Sequence, residues 1–333
     1  MYNNNNEVVV ITGATAGVGR AVVRRFAKEG AYIGLLARGE EALENAKKEV
    51  EEAGGKAIAI PTDVARWEQV EEAAKKVEKE LGPIDIWIND AMTSVFAPVK
   101  DITEKEFHRV TEVTYLGTVY GTMAALRRML PRDKGSIVQV GSALSYRSIP
   151  LQSAYCGAKH GIRGFTNSLR SELIHDQSKV RLTMVQLPAV NTPQFIWVRN
   201  KLPKKPQPVP PIYEPEIPAD AIYYAAHHNR REIFVGMSAV KTILGNKIIP
   251  GFLDHYLADS GYTGQQTNEP KDQDQPDNLW EPVSGDYGAH GNFDSRARTE
   301  SQQLWASENK GLMGIILSGI AAIGAGLILL NRN

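Results

Sequence analysis

The chain is poor in the features that would assign it quickly to a class. It has one cysteine, Cys156, in 333 residues, so no intramolecular disulfide can form, which fits a reducing compartment. Its 38 basic residues are balanced by 38 acidic ones, and no basic block with interleaved aromatics occurs. Recognition of nucleic acid through bulk charge is therefore excluded. Met1 to Asn6 offers neither a basic stretch nor an apolar core, so the N-terminus does not read as a secretory signal, and residues 1–6 are expected to be disordered. No metal site is expected. What remains is a chain with 42% hydrophobic residues, enough for one large α/β domain with appendages.

The apolar, β-branched run Val8 to Ile11 reads as a strand buried on both faces of a parallel sheet. It enters Thr12-Gly13-Ala14-Thr15-Ala16-Gly17-Val18-Gly19, and residues 20–29 then read as a helix. Strand, glycine-rich turn and helix together suit a phosphate cradle. Gly13 allows the turn, Gly17 lets backbone approach a pyrophosphate, and Gly19 lets the helix pack on the strand. Further strands are expected at 31–37, 57–60, 84–88, 136–140, 180–187 and 232–235. Helices alternate with them, including one long helix over Thr103–Leu130 and another over Ser153–Leu173. Alternation without hairpin turns predicts a Rossmann-type, doubly wound parallel sheet of about seven strands.

At the end of the second strand stand Ala37 and Arg38, where an acidic residue would bond a ribose 2′-hydroxyl. A guanidinium suits a 2′-phosphate, so NADP(H) is expected over NAD(H). The alternative is a solvated Arg38, with Glu40 or Glu41 in the acidic role. Tyr155 and Lys159 fall one helical turn apart, with Ser142 at the end of the fifth strand. A nearby ammonium would lower the phenol pKa from about 10 toward useful acid/base chemistry.

Over residues 7–257 these motifs, in order and spacing, resemble the short-chain dehydrogenase/reductase family. Thr12 to Gly19 matches its cofactor turn, in which Thr15, Ala16 and Val18 also approach cofactor. Asp63-Val64 matches its adenine-contacting pair, Asn89-Asp90-Ala91-Met92 its Asn-Asn-Ala-Gly, and Pro188 with Thr192 its nicotinamide-side segment. Ser142, Tyr155 and Lys159 fall on its catalytic trio. The resemblance implies hydride transfer between nicotinamide and a carbonyl or alcohol. Tyr155 would then exchange the proton, Ser142 hold the substrate oxygen, and Lys159 bind the ribose and lower the Tyr155 pKa. It also implies a homodimer or homotetramer paired through the two long helices. Departures are Thr114 at the position of the fourth catalytic residue, an asparagine; Asp90 and Met92 within the Asn-Asn-Ala-Gly segment; and Ala189 after Pro188. They leave open a second reading, a non-catalytic NADP(H)-binding scaffold or regulator.

Residues 7–260 are thus expected to form the catalytic domain. The proline-rich stretch 191–218 carries an apolar cluster, Phe195 to Val198, that reads either as a lid over a lipophilic carbonyl substrate or as core packing. Residues 261–310 turn polar and read as an extended arm, partly disordered, whose isolated hydrophobes Leu279, Trp280, Phe293 and Trp305 would be the points at which it docks on the catalytic domain or a sister subunit. Leu312 to Leu330 is uncharged over nineteen residues. As a helix it would span about 28 Å, near the roughly 30 Å of a bilayer core. A C-terminal transmembrane helix over 311–331 is therefore expected, anchoring the protein with its catalytic domain facing the cytoplasm.

Overall fold

The structure is a computed structural model and describes residues 7–311. The expected disordered residues 1–6 lie outside that range.

The β-branched runs become a sheet of seven parallel strands: β1 (Val8–Thr12), β2 (Tyr32–Ala37), β3 (Lys56–Pro61), β4 (Ile86–Asn89), β5 (Ser136–Ser142), β6 (Arg181–Leu187) and β7 (Glu232–Phe234). Their order is β7-β6-β5-β4-β1-β2-β3, with Val9 opposite Ile33 on one side and Ile86 on the other. The order reverses between β1 and β4, which opens a crevice at the carboxyl ends of those strands.

Strands β1, β4, β5 and β6 are buried on both faces, so successive residues serve two cores. Val9 and Ile11 pack with α1 (Gly17–Ala27) and α2 (Glu40–Glu52). Val8 and Val10 pack on the opposite face with α3 (Trp67–Leu81), whose Val70, Ala73, Ala74, Val77 and Leu81 form one helical stripe. The expected long helix over Thr103–Leu130 is instead α4 (Glu104–Val110), a π-helical turn at Thr111–Leu116, and α5 (Gly117–Met129). It starts at a capping box in which Thr103 and Glu106 bond each other's backbone N–H. Next come α6 (Ser153–His175), α7 (Glu216–His227), α8 (Gly236–Ile248) and α9 (Pro250–Gly264). Helix α9 runs past the expected domain end at residue 260.

The arm is docked on the domain, Leu279 being one of the hydrophobes expected to hold it, and is not partly disordered over 261–310. Gln266–Pro270 pairs antiparallel with Lys204–Pro206, and Ala297–Arg298 pairs parallel with Ile212–Tyr213. Leu279 is fully buried against Val95, Ala97, Val110 and Ala154, and Leu304 joins the main core. Burying one leucine is worth about 1.5–3 kcal/mol, and sparse hydrophobes at such anchor points hold a segment that is polar overall.

The expected membrane anchorage is corrected. Among the described residues no helix is long and apolar enough to cross a membrane, and Leu312–Leu330 lies outside them.

Candidate functional site

A single cavity of about 900 Å³ follows the crevice from the end of β2 to helices α8 and α9. Its first wall is the glycine turn. Gly13 has a φ of +73°, which a side chain rarely tolerates. Gly19 lies behind the turn and does not line the cavity, because a Cβ there would stand 2.1 Å from the Gly13 carbonyl oxygen. Thr15, Ala16, Gly17 and Val18 face the cavity. The hydroxyl of Thr12 accepts from the N–H groups of Asp90 and Ala91 at 3.1 Å each, tying the segment after β4 to β1.

Arg38, Asp63 and Val64 line the adenosine end. Arg38 is half-buried and hydrogen-bonded to the arm. It donates through Nη1 to the Trp280 carbonyl at 2.7 Å and through Nη2 to that of Asn278 at 2.5 Å. Burial, with neighbouring Arg109, pushes its pKa below the usual guanidinium value. Asp63 pairs with Arg109 at 2.8 Å.

Further along, Ala91, Ser142, Tyr155, Lys159, Pro188 and Thr192 line the same cavity. Ser142 ends β5, and its Oγ accepts from the Leu144 N–H at 3.1 Å. Lys159 is buried and donates to the Val140 carbonyl at 2.6 Å. Burial lowers its pKa, opposed by the Asp90 carboxylate; burial raises Asp90, opposed by Lys159 and the Gly19 N–H. The Tyr155 phenol moves opposite to expectation. Burial pushes it up, a hydrogen bond with Ser142 only partly offsets this, and Lys159, 5.5 Å from the ring centre, is not among the causes.

Two expected site residues turn away. Asn89 is buried in a side-chain network, accepting from Trp87 Nε1 at 2.9 Å and donating to Thr122 and Gln139. Thr114, fully buried, donates to the Thr93 carbonyl at 2.8 Å and accepts from the Thr93 N–H at 3.0 Å. Neither lines the cavity. In the apolar cluster, Phe195 and Trp197 line the cavity, while Phe195 and Val198 also pack with Phe96, Leu151 and Leu202. The core-packing reading holds for Phe195 and Val198, and Trp197 faces the cavity.

Sequence reasoning missed the far wall. It mixes apolar Leu144, Ile149, Val209, Leu253 and Leu257 with polar and charged side chains, among them Arg147, Gln152, Lys241 and Thr242. Helices α8 and α9 have no sharp polar face that would have marked them. It also missed Arg20, which is fully buried yet paired with Glu49 at 2.8 Å and Asp286 at 3.1 Å.

The family model for short chain dehydrogenase matches residues 7–202. The chain belongs to the short chain dehydrogenase family. An uncharacterized oxidoreductase of Bacillus subtilis is 30% identical over 96% of this chain and 90% of its own length. A 3-dehydrosphinganine reductase of Danio rerio is 34% identical over 57% of this chain and 58% of its own. Among solved structures, an alcohol dehydrogenase from Thermococcus sibiricus, complexed with 5-hydroxy-NADP, superposes with a TM-score of 0.59 at 28% identity. The match covers 69% of this chain and 96% of that one. The protein is an oxidoreductase of this family, and its crevice fits a nicotinamide dinucleotide: the turn needs glycine where a Cβ would collide, and a cation stands at the adenosine end.

Proposed function

We propose that the protein is an NADP(H)-dependent oxidoreductase that interconverts a lipophilic carbonyl and its alcohol, with Tyr155 as the proton-exchanging group. One observation carries the reading: Ser142, Tyr155 and Lys159 line the same continuous cavity as the glycine turn and Arg38. When bound, the nicotinamide cofactor supplies or accepts the hydride. The chain's own part is proton and charge. Tyr155, a phenol protonated at neutral pH whose pKa burial raises further, donates its proton to the substrate oxygen during reduction. Ser142 Oγ stands beside that phenol and offers the same oxygen a second hydrogen bond. Lys159 is held in place by the Val140 carbonyl and brings a donor under the reacting end.

Arg38 supports NADP(H), since a guanidinium matches a phosphate and no acidic residue closes β2. The relative complexed with 5-hydroxy-NADP is in keeping with this. The leucines and isoleucine of the far wall, Leu144, Ile149, Leu253 and Leu257, support a lipophilic substrate, as does the name of the Danio rerio relative, a 3-dehydrosphinganine reductase. The test is Tyr155→Phe. Turnover of long-chain ketones with NADPH should fall by about 10²–10⁴-fold, with NADPH affinity unchanged. Full turnover in that variant would exclude this mechanism. A wild type that binds NADPH and oxidises it with no ketone would favour the non-catalytic scaffold.

A further inference from the structure

The arm crosses the cofactor crevice instead of avoiding it. On one bank, Leu279 is sunk in its apolar pocket, its carbonyl accepts from Arg109 Nε at 3.1 Å, and the Asn278 N–H donates to the Trp197 carbonyl at 3.0 Å. On the other, both Asp286 oxygens accept from Arg20, and the Gly288 carbonyl accepts from the Gly17 N–H at 3.0 Å. Gly288 has a φ of +62°, a turn that suits glycine. The ring of Tyr287 meets that of Trp197 edge-on at 4.7 Å.

Between these anchors, Pro282, Val283, Gly285 and Tyr287 line the cavity together with Gly13, Ala37 and Asp63. The arm therefore spans the crevice and leaves space beneath it at the adenosine end. What it presents to Arg38 is chemically specific. The Asn278 and Trp280 carbonyls are neutral acceptors that orient the guanidinium, while the Asp63 and Glu281 carboxylates act on it through charge without an ion pair to it. The two carbonyls occupy two of its five N–H donors, and the others remain for an anion.

We propose that residues 278–288 form a clasp over the adenosine half of a bound dinucleotide. It is a wall of the binding site that governs release of the cofactor and positions Arg38 through the Asn278 and Trp280 carbonyls. This rests on the reading of the cavity as a dinucleotide site. It assigns binding residues in a segment distant in sequence from every cofactor motif.

The experiment uses the full chain and two variants that loosen the clasp at opposite banks, Leu279→Ser and Asp286→Ala, each checked for native circular dichroism. Bound NADPH or NADH is chased with excess oxidised cofactor and release is followed by fluorescence. Release of both should quicken by about tenfold or more, and the NADPH-over-NADH affinity ratio should fall as Arg38 loses its orientation. In the wild type, NADPH should protect the arm from limited proteolysis. If Leu279→Ser does not fold, Asp286→Ala carries the same readouts. Unchanged or slower release in a folded variant would overturn the clasp while leaving the functional reading intact. So would an unchanged affinity ratio for the positioning of Arg38. A wild type that binds neither dinucleotide would overturn both.

Discussion

Arg199 Nε donates to Glu106 Oε1 at 2.5 Å, joining the segment after the apolar cluster to the first turn of α4. Lys201 and the Thr103 N–H bond the other carboxylate oxygen at 2.7 and 2.8 Å. Burial alone would raise the Glu106 pKa, but Lys201, Thr103 and Arg199 outweigh it and hold it at about 2. A carboxyl depressed in the folded state stabilises above its unfolded pKa of about 4.3, and this is lost as pH falls toward 2. Glu106→Gln should cost about 2 kcal/mol at pH 7, allowing for screening of the partly exposed Arg199. Urea denaturation across pH should show the gap between variant and wild type closing from pH 4 to pH 2. A gap equal at both ends would contradict the ion-pair account.

Thr114→Val separates structure from chemistry. The near-isosteric change strips the partner from the buried Thr93 N–H, at a cost of about 1–3 kcal/mol. Because Thr114 faces Thr93 and not the cavity, kcat per folded molecule should stay within about threefold of wild type. A large fall in kcat without loss of thermal stability would return Thr114 to the catalytic machinery.

Arg38→Ala should weaken NADPH by about 10- to 100-fold and NADH by much less. Equilibrium fluorescence titration with each cofactor measures both. Equal losses would show that Arg38 does not read the 2′-phosphate.

The Tyr155 phenol is raised by burial, and the sign sets the pH response. Reduction needs the protonated phenol, so its rate should hold steady through neutral pH. Oxidation of the alcohol needs the phenolate, so log kcat should still be climbing at about pH 9, where an unshifted phenol of pKa about 10 also remains mostly protonated. An oxidation rate already level at pH 7 would mean that bound ligands reverse the effect of burial.

The sheet was legible because its strands are continuous β-branched runs with glycine-rich or polar exits, and a parallel sheet buried on both faces demands that pattern. The glycine turn and Tyr155 with Lys159 were legible because local spacing fixes their geometry. Asn89 misled because a motif position does not state which way a side chain points: Trp87, Thr122 and Gln139 satisfy it inside the core. The phenol's shift was misjudged because helical spacing reveals a neighbouring lysine but not the burial around both. The arm was legible in part: Leu279 stands out in a polar stretch as a side chain that could dock, and it does, whereas the equally conspicuous Trp280 and Trp305 stay about half exposed and Ala289 and Leu304 supply the other anchors.

The bond between Arg38 and Asn278 joins residues 240 positions apart, and the contact between Arg20 and Asp286 spans 266. A fragment ending at residue 260 would keep all seven strands of the sheet. It would also carry a hole where Leu279 sits, walled by Val95, Ala97, Val110 and Ala154 and open to water, with Arg20 short of a carboxylate. The boundary that separates this fold most neatly on paper cuts through its cofactor crevice, and the smallest unit that can be studied as one piece extends at least to the helix at Gln302–Glu308.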